Sequence, residues 1–436
     1  MTSAWLAALV TSLLASTAPV AHTDSYGRGF IAAAPGEAIA IVVAGCARCD
    51  WAETGREAAA LRVVVDGKYS QHILLARGEA AAEYRVSLGT LPAGRHRVTI
   101  ERDATLSAAG AGPATIDVQD VLIFPHDGSD DAVARSMAPI LYARPNTVGR
   151  FTDLPLLMWY ERVPTPRGHQ FRYSVIFSNE DGGTPTDRLM ATWGRTTDIE
   201  FVYGVELDDH NRVLAEEFQG PGHEVPPFKG RHEARHPLEW VSTDNNMVSE
   251  SGPTRLRYAP AAVKFDLAGV SREAVMDAHP WLYAVMAKEL AREGKIAAGA
   301  PPGTKQIPDP RQFVYIEACG EVGNAALAFA VNAGDQWITS DRGVSQYRIT
   351  RDGCFRAAIP LPPGAHAGDL RAIRAQAFAR PPESGKDAEV PRPVHLLRIN
   401  KVFTLGDGYV PGETLLRWLG PETLTAGGPP FDVRIP

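Results

Sequence analysis

Between Asp198 and Leu207 the chain alternates cleanly. Ile199, Phe201, Tyr203, Val205 and Leu207 share one parity, while Asp198, Glu200, Val202, Gly204 and Glu206 share the other. Successive side chains of a strand point to opposite faces, so the pattern predicts a strand with an apolar row on one side and three carboxylates on the other. Shorter runs of the same kind recur at 38–44, 61–65, 72–75, 84–88, 95–100 and 116–124, with Asp66-Gly67 and Leu91-Pro92-Ala93-Gly94 placed as turns between them. Antiparallel strands at that spacing predict a β-sandwich or jelly roll over residues 28–125. Apolar stretches at 139–142, 154–160 and 171–177 join 198–207 in a β-rich central domain. Runs at 313–316, 327–331, 346–350, 370–378 and 396–405 predict a second sandwich.

The pattern changes period once. Trp281, Leu282, Val285, Met286 and Leu290 follow helical spacing, Pro280 stands where a missing N–H costs little, and Gly294 follows as a stop. Ser271 is placed to cap a shorter helix running through Met276. The fold class expected is therefore mainly β: an N-terminal sandwich, a β-rich central domain ending in a helical pair, and a C-terminal sandwich. The boundaries read are 1–21, 28–125, 135–298 and 311–436, with the polar run 127–131 and the Pro/Gly-rich run 298–310 as linkers. A length of 436 residues fits several cores rather than one.

Composition narrows the compartment and the partners. A net charge of −7 excludes nucleic acid as the main partner, because phosphate binding needs a basic surface. The apolar stretch from Ala4 to Val20 is shorter than a spanning helix needs and runs into Ala18-Pro19-Val20-Ala21, so residues 1–21 read as an export signal, removed to leave a secreted or periplasmic chain with no transmembrane segment. Four cysteines agree with an oxidising compartment: Cys46 with Cys49, and Cys319 with Cys354, are the expected disulfides.

Two polar clusters in the central domain carry the candidate chemistry. Asp198 and Glu200, two apart on one strand, project together, and their mutual repulsion is relieved by a shared proton or a hard cation. The polar region 208–255, expected as a long loop, holds His223, His232 and His236, with Glu239 and Asp244 close behind. Imidazole transfers protons near neutral pH and ligates zinc. Asp198, Glu200, His223 and His236 are thus the candidate acid–base residues. Asp198, Glu200, His232 and His236 are the candidate ligands of one divalent cation (calcium, magnesium, manganese or zinc), brought together if the loop folds over the strand. Trp159, Tyr160 and Trp240 are candidate sugar-stacking aromatics.

The segment Gly194-Arg195-Thr196-Thr197-Asp198-Ile199-Glu200 resembles the G-H-R-H-D-W-E heptad of the necrosis- and ethylene-inducing-peptide-like proteins, and more distantly the G-D-W-E core of the vacuolar-sorting-associated domain. Gly194, Asp198 and Glu200 match; the family's histidines fall on Arg195 and Thr197 and its tryptophan on Ile199. The resemblance implies a secreted β-sandwich, a divalent cation and lipid-directed toxicity. The residues themselves point to an exported multidomain protein acting on or binding an extracellular glycan or cell-surface ligand through the central domain. A non-catalytic surface adhesin is the other expectation.

Overall fold

The computed structural model describes residues 22–145, 149–180, 182–380 and 390–436; the expected export signal lies outside them. The chain is mainly β, in three successive sheet pairs. In the first, one sheet runs His22–Thr23, Ala114–Pro125, Gly36–Cys46, Ala82–Leu91, and the other runs Ser25–Ala32, Gly94–Asp103, Ala60–Val65, Lys68–Leu74. Their alternating residues, among them Val42, Leu61, Val63, Val98, Ile100, Ile116 and Val118, meet in one apolar layer with Trp51. Asp66-Gly67 makes the turn between two paired strands as expected.

The central pair is more irregular. Its first sheet runs Val213–Phe218, Asp198–Leu207, Gly168–Phe177, Pro155–Thr165, Val263–Lys264. The second runs His232–Glu233, His236–Val241, Ile140–Tyr142, Arg257–Tyr258, with Val248–Ser249 also paired to His236–Val241. The region expected as a long loop therefore contains four strands, two of them of six residues. His236–Val241 is buried along its whole length and pairs in parallel with Ile140–Tyr142. Its mixture of polar and apolar residues hides a strand that is covered on both faces. The expected linker at 127–131 in turn begins a helix, Asp130–Ser136, capped by Ser129.

The C-terminal pair is a second sandwich. One sheet runs Gly353–Pro360, Phe313–Glu321, Val394–Thr404, Leu416–Leu424; the other runs Gln336–Thr339, Ala325–Ala333, Leu370–Ala379, Phe431–Arg434. Residues 346–350, expected as a strand, hold a short 3-10 turn over Ser345–Tyr347, and only Ile349 bridges to Leu327. Both expected disulfides form. Cys319–Cys354 joins directly opposed residues of neighbouring strands and closes a separation of 35 residues, a constraint on the unfolded chain of about 3 kcal/mol.

Two helices, Ala274–Ala278 and Trp281–Arg292, form the expected pair. Leu282, Met286 and Leu290 pack with Trp159, Ile176 and Ile199 on one side and with Tyr315 and Phe403 of the last sandwich on the other. The helical pair is thus the wedge between central and C-terminal domains. Among the described residues no helix is long and apolar enough to cross a membrane.

Candidate functional site

The site is prepared by a helix that stops abruptly. Thr186–Trp193 ends at Gly194, whose φ of 64° is left-handed and whose N–H caps Met190 O at 2.9 Å. A Cβ at this position would meet the Arg356 side chain at 2.7 Å, so both backbone and space require glycine. The chain then turns through buried Arg195, Thr196 and Thr197 into the strand at Asp198. Arg195 braces the turn by donating to Thr197 O and to Glu273 Oε1, the latter at 3.2 Å.

The alternation of the strand does not survive its whole length. Asp198 faces Phe177, Glu200 faces Val175, and then Tyr203 faces Tyr173, with Val202 as an extra residue at a β-bulge. The bulge reverses the parity. Tyr203, Val205 and Leu207 point into the layer between the two central sheets, whereas Ile199 points the other way, towards the helical pair. Asp198 and Glu200 therefore share the inner face with Tyr203 and Val205, rather than lying opposite them as the plain alternation predicted. The carboxylates close one end of the inter-sheet core; they do not form a solvated strand face.

Their surroundings are close to dry. Asp198 is 3% exposed and Glu200 9%. Asp198 Oδ2 accepts from Asn246 Nδ2 at 2.9 Å, and Arg195 Nη1 stands 3.9 Å from Oδ1. Glu200 accepts from Gln219 Nε2, which also lies 3.3 Å from Nδ1 of the exposed His223. Burial raises the Asp198 carboxyl well above the ordinary carboxylate range, and the neighbouring Glu200 charge raises it further, against the pull of Arg195. Burial raises Glu200 as well, opposed by Arg272 and Arg195. Two carboxyls so placed titrate as a pair: protons are held here at pH values where free carboxylates have lost them. Asn246, completely buried at a φ of 54°, has no hydrogen-bond partner for its Oδ1 among the described residues.

The three candidate histidines part company. His223 alone reaches the pair, through Gln219, and its charge lowers the Glu200 carboxyl. His232 sits on a two-residue strand and meets Glu216 at 2.8 Å. His236 is buried, with Nδ1 2.8 Å from Ala138 O and Nε2 3.0 Å from Glu37 Oε2 of the first sandwich. The physical reason is the buried strand His236–Val241, which carries His236 into the junction with the first domain instead of leaving it on a loop free to fold over Asp198. His232 and His236 are therefore not assembled with Asp198 and Glu200. Among the described residues no three His, Cys, Asp or Glu side chains converge as a metal-ligand group. Among the described residues the oxygen groups at the pair are Asp198, Glu200, Asn246 Oδ1 and the nearby Glu180 carboxylate, whose charge also raises Asp198, a set suited to a hard cation rather than zinc.

Trp159 and Tyr160 are wholly buried, and Trp240 stacks on Tyr142 with centroids 4.3 Å apart; all three are core. Sequence reasoning passed over Arg195, Gln219 and Asn246. The Asn245-Asn246 doublet is a turn signal, but nothing in its spacing ties it to Asp198, 48 residues away.

In comparisons with known proteins the sequence matches no family model and no curated protein. Two solved structures share local likeness. One, titled "NLPPya in complex with mannosamine", is 10% identical with a TM-score of 0.24, covering 32% of this chain and 75% of that one. The other, a family 35 carbohydrate binding module from an environmental isolate, is 14% identical with a TM-score of 0.15, covering 23% of this chain and 70% of that one.

Proposed function

We propose that the protein is exported and recognises an extracellular glycan through the Asp198–Glu200 end of its central domain. The observation that carries this reading is the pair of buried carboxyls, both raised by burial and edged by two side-chain amides, Asn246 and Gln219. A sugar hydroxyl both donates and accepts a hydrogen bond. An ionised carboxylate, a protonated carboxyl and an amide together offer both functions without a net charge mismatch. The exposed His223 marks the solvent side, so Glu200 and Gln219 are the first groups a ligand meets and Asp198 lies behind them. Two disulfides agree with an extracellular or periplasmic setting.

The test is a panel of extracellular polysaccharides screened by affinity electrophoresis, with reducing ends assayed in parallel. Retardation without new reducing ends identifies a binding protein; new ends that vanish in Asp198→Asn identify a hydrolase acting through the pair. No retardation and no product with any polysaccharide contradicts the reading.

A second reading, a divalent cation at the same pair, is favoured by Asn246 Oδ1, which has no hydrogen-bond partner among the described residues, beside two neighbouring carboxyls. Asp198, Glu200 and Asn246 would hold it, and its charge would remove the repulsion that keeps protons on the pair. Calcium, magnesium or manganese would then raise the melting temperature of chelator-treated protein, and Asp198→Asn would abolish that rise. Cation-dependent dye release from sphingolipid vesicles would assign the protein to the lipid-directed class instead of the glycan class.

A further inference from the structure

The outer face of one C-terminal sheet carries a shallow groove. Leu327, Phe329, Val331, Ile373, Ala375 and Ala377 point into the sandwich core. By the two-residue period of a strand, Ala328 and Ala330, and Arg374, Gln376 and Phe378, point outward. The register sets Ala328 opposite Gln376 and Ala330 opposite Arg374 and Thr339. Ala328 and Ala330 are only 4% and 3% exposed although they face away from the core. Larger flanking side chains wall them in, so the two alanines are the floor of a trough lined by Trp337, Thr339, Gln376 and Phe378.

The walls are fixed in place and balanced in charge. Arg374 lies over the Trp337 ring at 4.0 Å and is gripped by both oxygens of Asp432 at 2.7 and 2.8 Å. Arg348 lies over the Phe378 ring at 3.7 Å and donates to Asp341 Oδ2 at 2.8 Å. Two guanidiniums meet two carboxylates, so the groove has no net charge to offer an ionic ligand. Trp337 nevertheless remains 36% exposed, and the Gln376 amide, half-buried at the wall, makes no hydrogen bond among the described residues. An apolar floor, two aromatic edges and a few fixed polar groups describe a site for a neutral ligand with one apolar face and a rim of hydroxyls.

We infer that this groove is a second carbohydrate-contact site, taking a neutral pyranoside unit whose C–H face lies against Trp337 and the alanine floor while its hydroxyls meet Gln376 and Thr339. Because the arginine–aspartate pairs already hold the aromatic walls, little conformational freedom is lost on binding. The inference stands on this sheet alone and does not need the Asp198–Glu200 pair to bind sugar.

The test uses the full chain in affinity electrophoresis with xylan, glucomannan and mixed-linkage β-glucan. The wild-type chain is retarded by at least one of them. Trp337→Ala, and Ala328→Leu, which fills the floor, each weaken that retardation about tenfold or more, with unchanged melting temperatures. Gln376→Ala weakens it less and cannot unfold a buried core. Asp198→Asn separates the two sites. Binding lost in Trp337→Ala but kept in Asp198→Asn upholds the groove and contradicts the central site. Binding lost in Asp198→Asn but kept in all three groove variants overturns the groove and leaves the central site standing. A wild-type chain that none of the three polysaccharides retards also overturns the inference.

Discussion

Two buried clusters of charge lie on either side of the helical wedge, and they are built on opposite terms. At the junction with the C-terminal sandwich, Arg356 is fully buried and donates to both oxygens of Asp277, at 2.9 and 2.6 Å, to the Tyr283 hydroxyl at 2.6 Å, and to Glu317. Lys401 adds to Asp277, while Ser271 and Asn400 complete Glu317. Every carboxylate oxygen there has a donor. Although burial alone would raise it, Asp277 is held below the ordinary carboxylate range by Arg356 and Lys401. At the other cluster, among the described residues, Asp198 accepts from Asn246 and Glu200 from Gln219; the two carboxyls repel each other and both are raised. A matched cluster secures a domain junction. An unmatched one costs stability and is kept where a ligand, a proton or a cation completes it.

The largest expected effect breaks the matched cluster. Arg356→Met leaves Glu317 buried without its cation and Asp277 with Lys401 alone, and lowers equilibrium unfolding stability by about 3–5 kcal/mol; a loss under about 1 kcal/mol in denaturant titration would show that the junction is held by packing alone. Next in size is the Cys319–Cys354 bond. Replacing both cysteines by serine costs about 3 kcal/mol, whereas the same change at Cys46 and Cys49, which close a separation of only 3 residues, costs less. Equal losses would mean that chain entropy is not the source.

A third effect is read in pH. Glu289 of the helical wedge accepts from Trp51 of the first sandwich and from Arg292, yet burial pushes its carboxyl up to about 8. A raised carboxyl keeps its proton in the folded chain after the unfolded chain has lost it. The stability it contributes is full below its ordinary value of 4.5 and is lost as pH rises through about 8. Glu289→Gln flattens the decline of melting temperature between those values, and an unchanged slope would remove Glu289 as its cause. The smallest effect is at His232. Its bond to Glu216 lies on an exposed two-residue strand, so His232→Ala shifts stability by less than about 1 kcal/mol and leaves ligand affinity unchanged.

Much of this architecture is legible in the chain. The runs at 38–44 and 313–316 read as strands because they are short, apolar and rich in β-branched or aromatic residues, and Leu282, Met286 and Leu290 mark their helix by spacing. What is hidden is the strand that buries polar residues. His236–Val241 mixes His, Pro and Glu with apolar residues and reads as loop, yet it is an interior strand. The site was half visible. The spacing of Asp198 and Glu200 declares two neighbouring carboxyls, but the bulge at Val202 turns them inward, and it leaves no mark in the sequence because Phe201, Val202 and Tyr203 around it are all apolar or aromatic. Asn246 and Gln219 join them only through tertiary contact.

On this reading the unmatched pair is kept for binding at the expense of stability. Its most direct test measures both quantities on Asp198→Asn and Glu200→Gln: affinity for the polysaccharide or cation that the wild-type chain binds, and melting temperature at pH 7.5 and pH 4. Because both carboxyls are raised, the amides relieve a cost that is present at pH 7.5 and absent near pH 4. The expected result is binding lost, a melting temperature higher by about 2–4 °C at pH 7.5, and no gain at pH 4. Variants that melt several degrees lower at pH 7.5, or that bind as the wild-type chain does, would show the pair to be ordinary core structure.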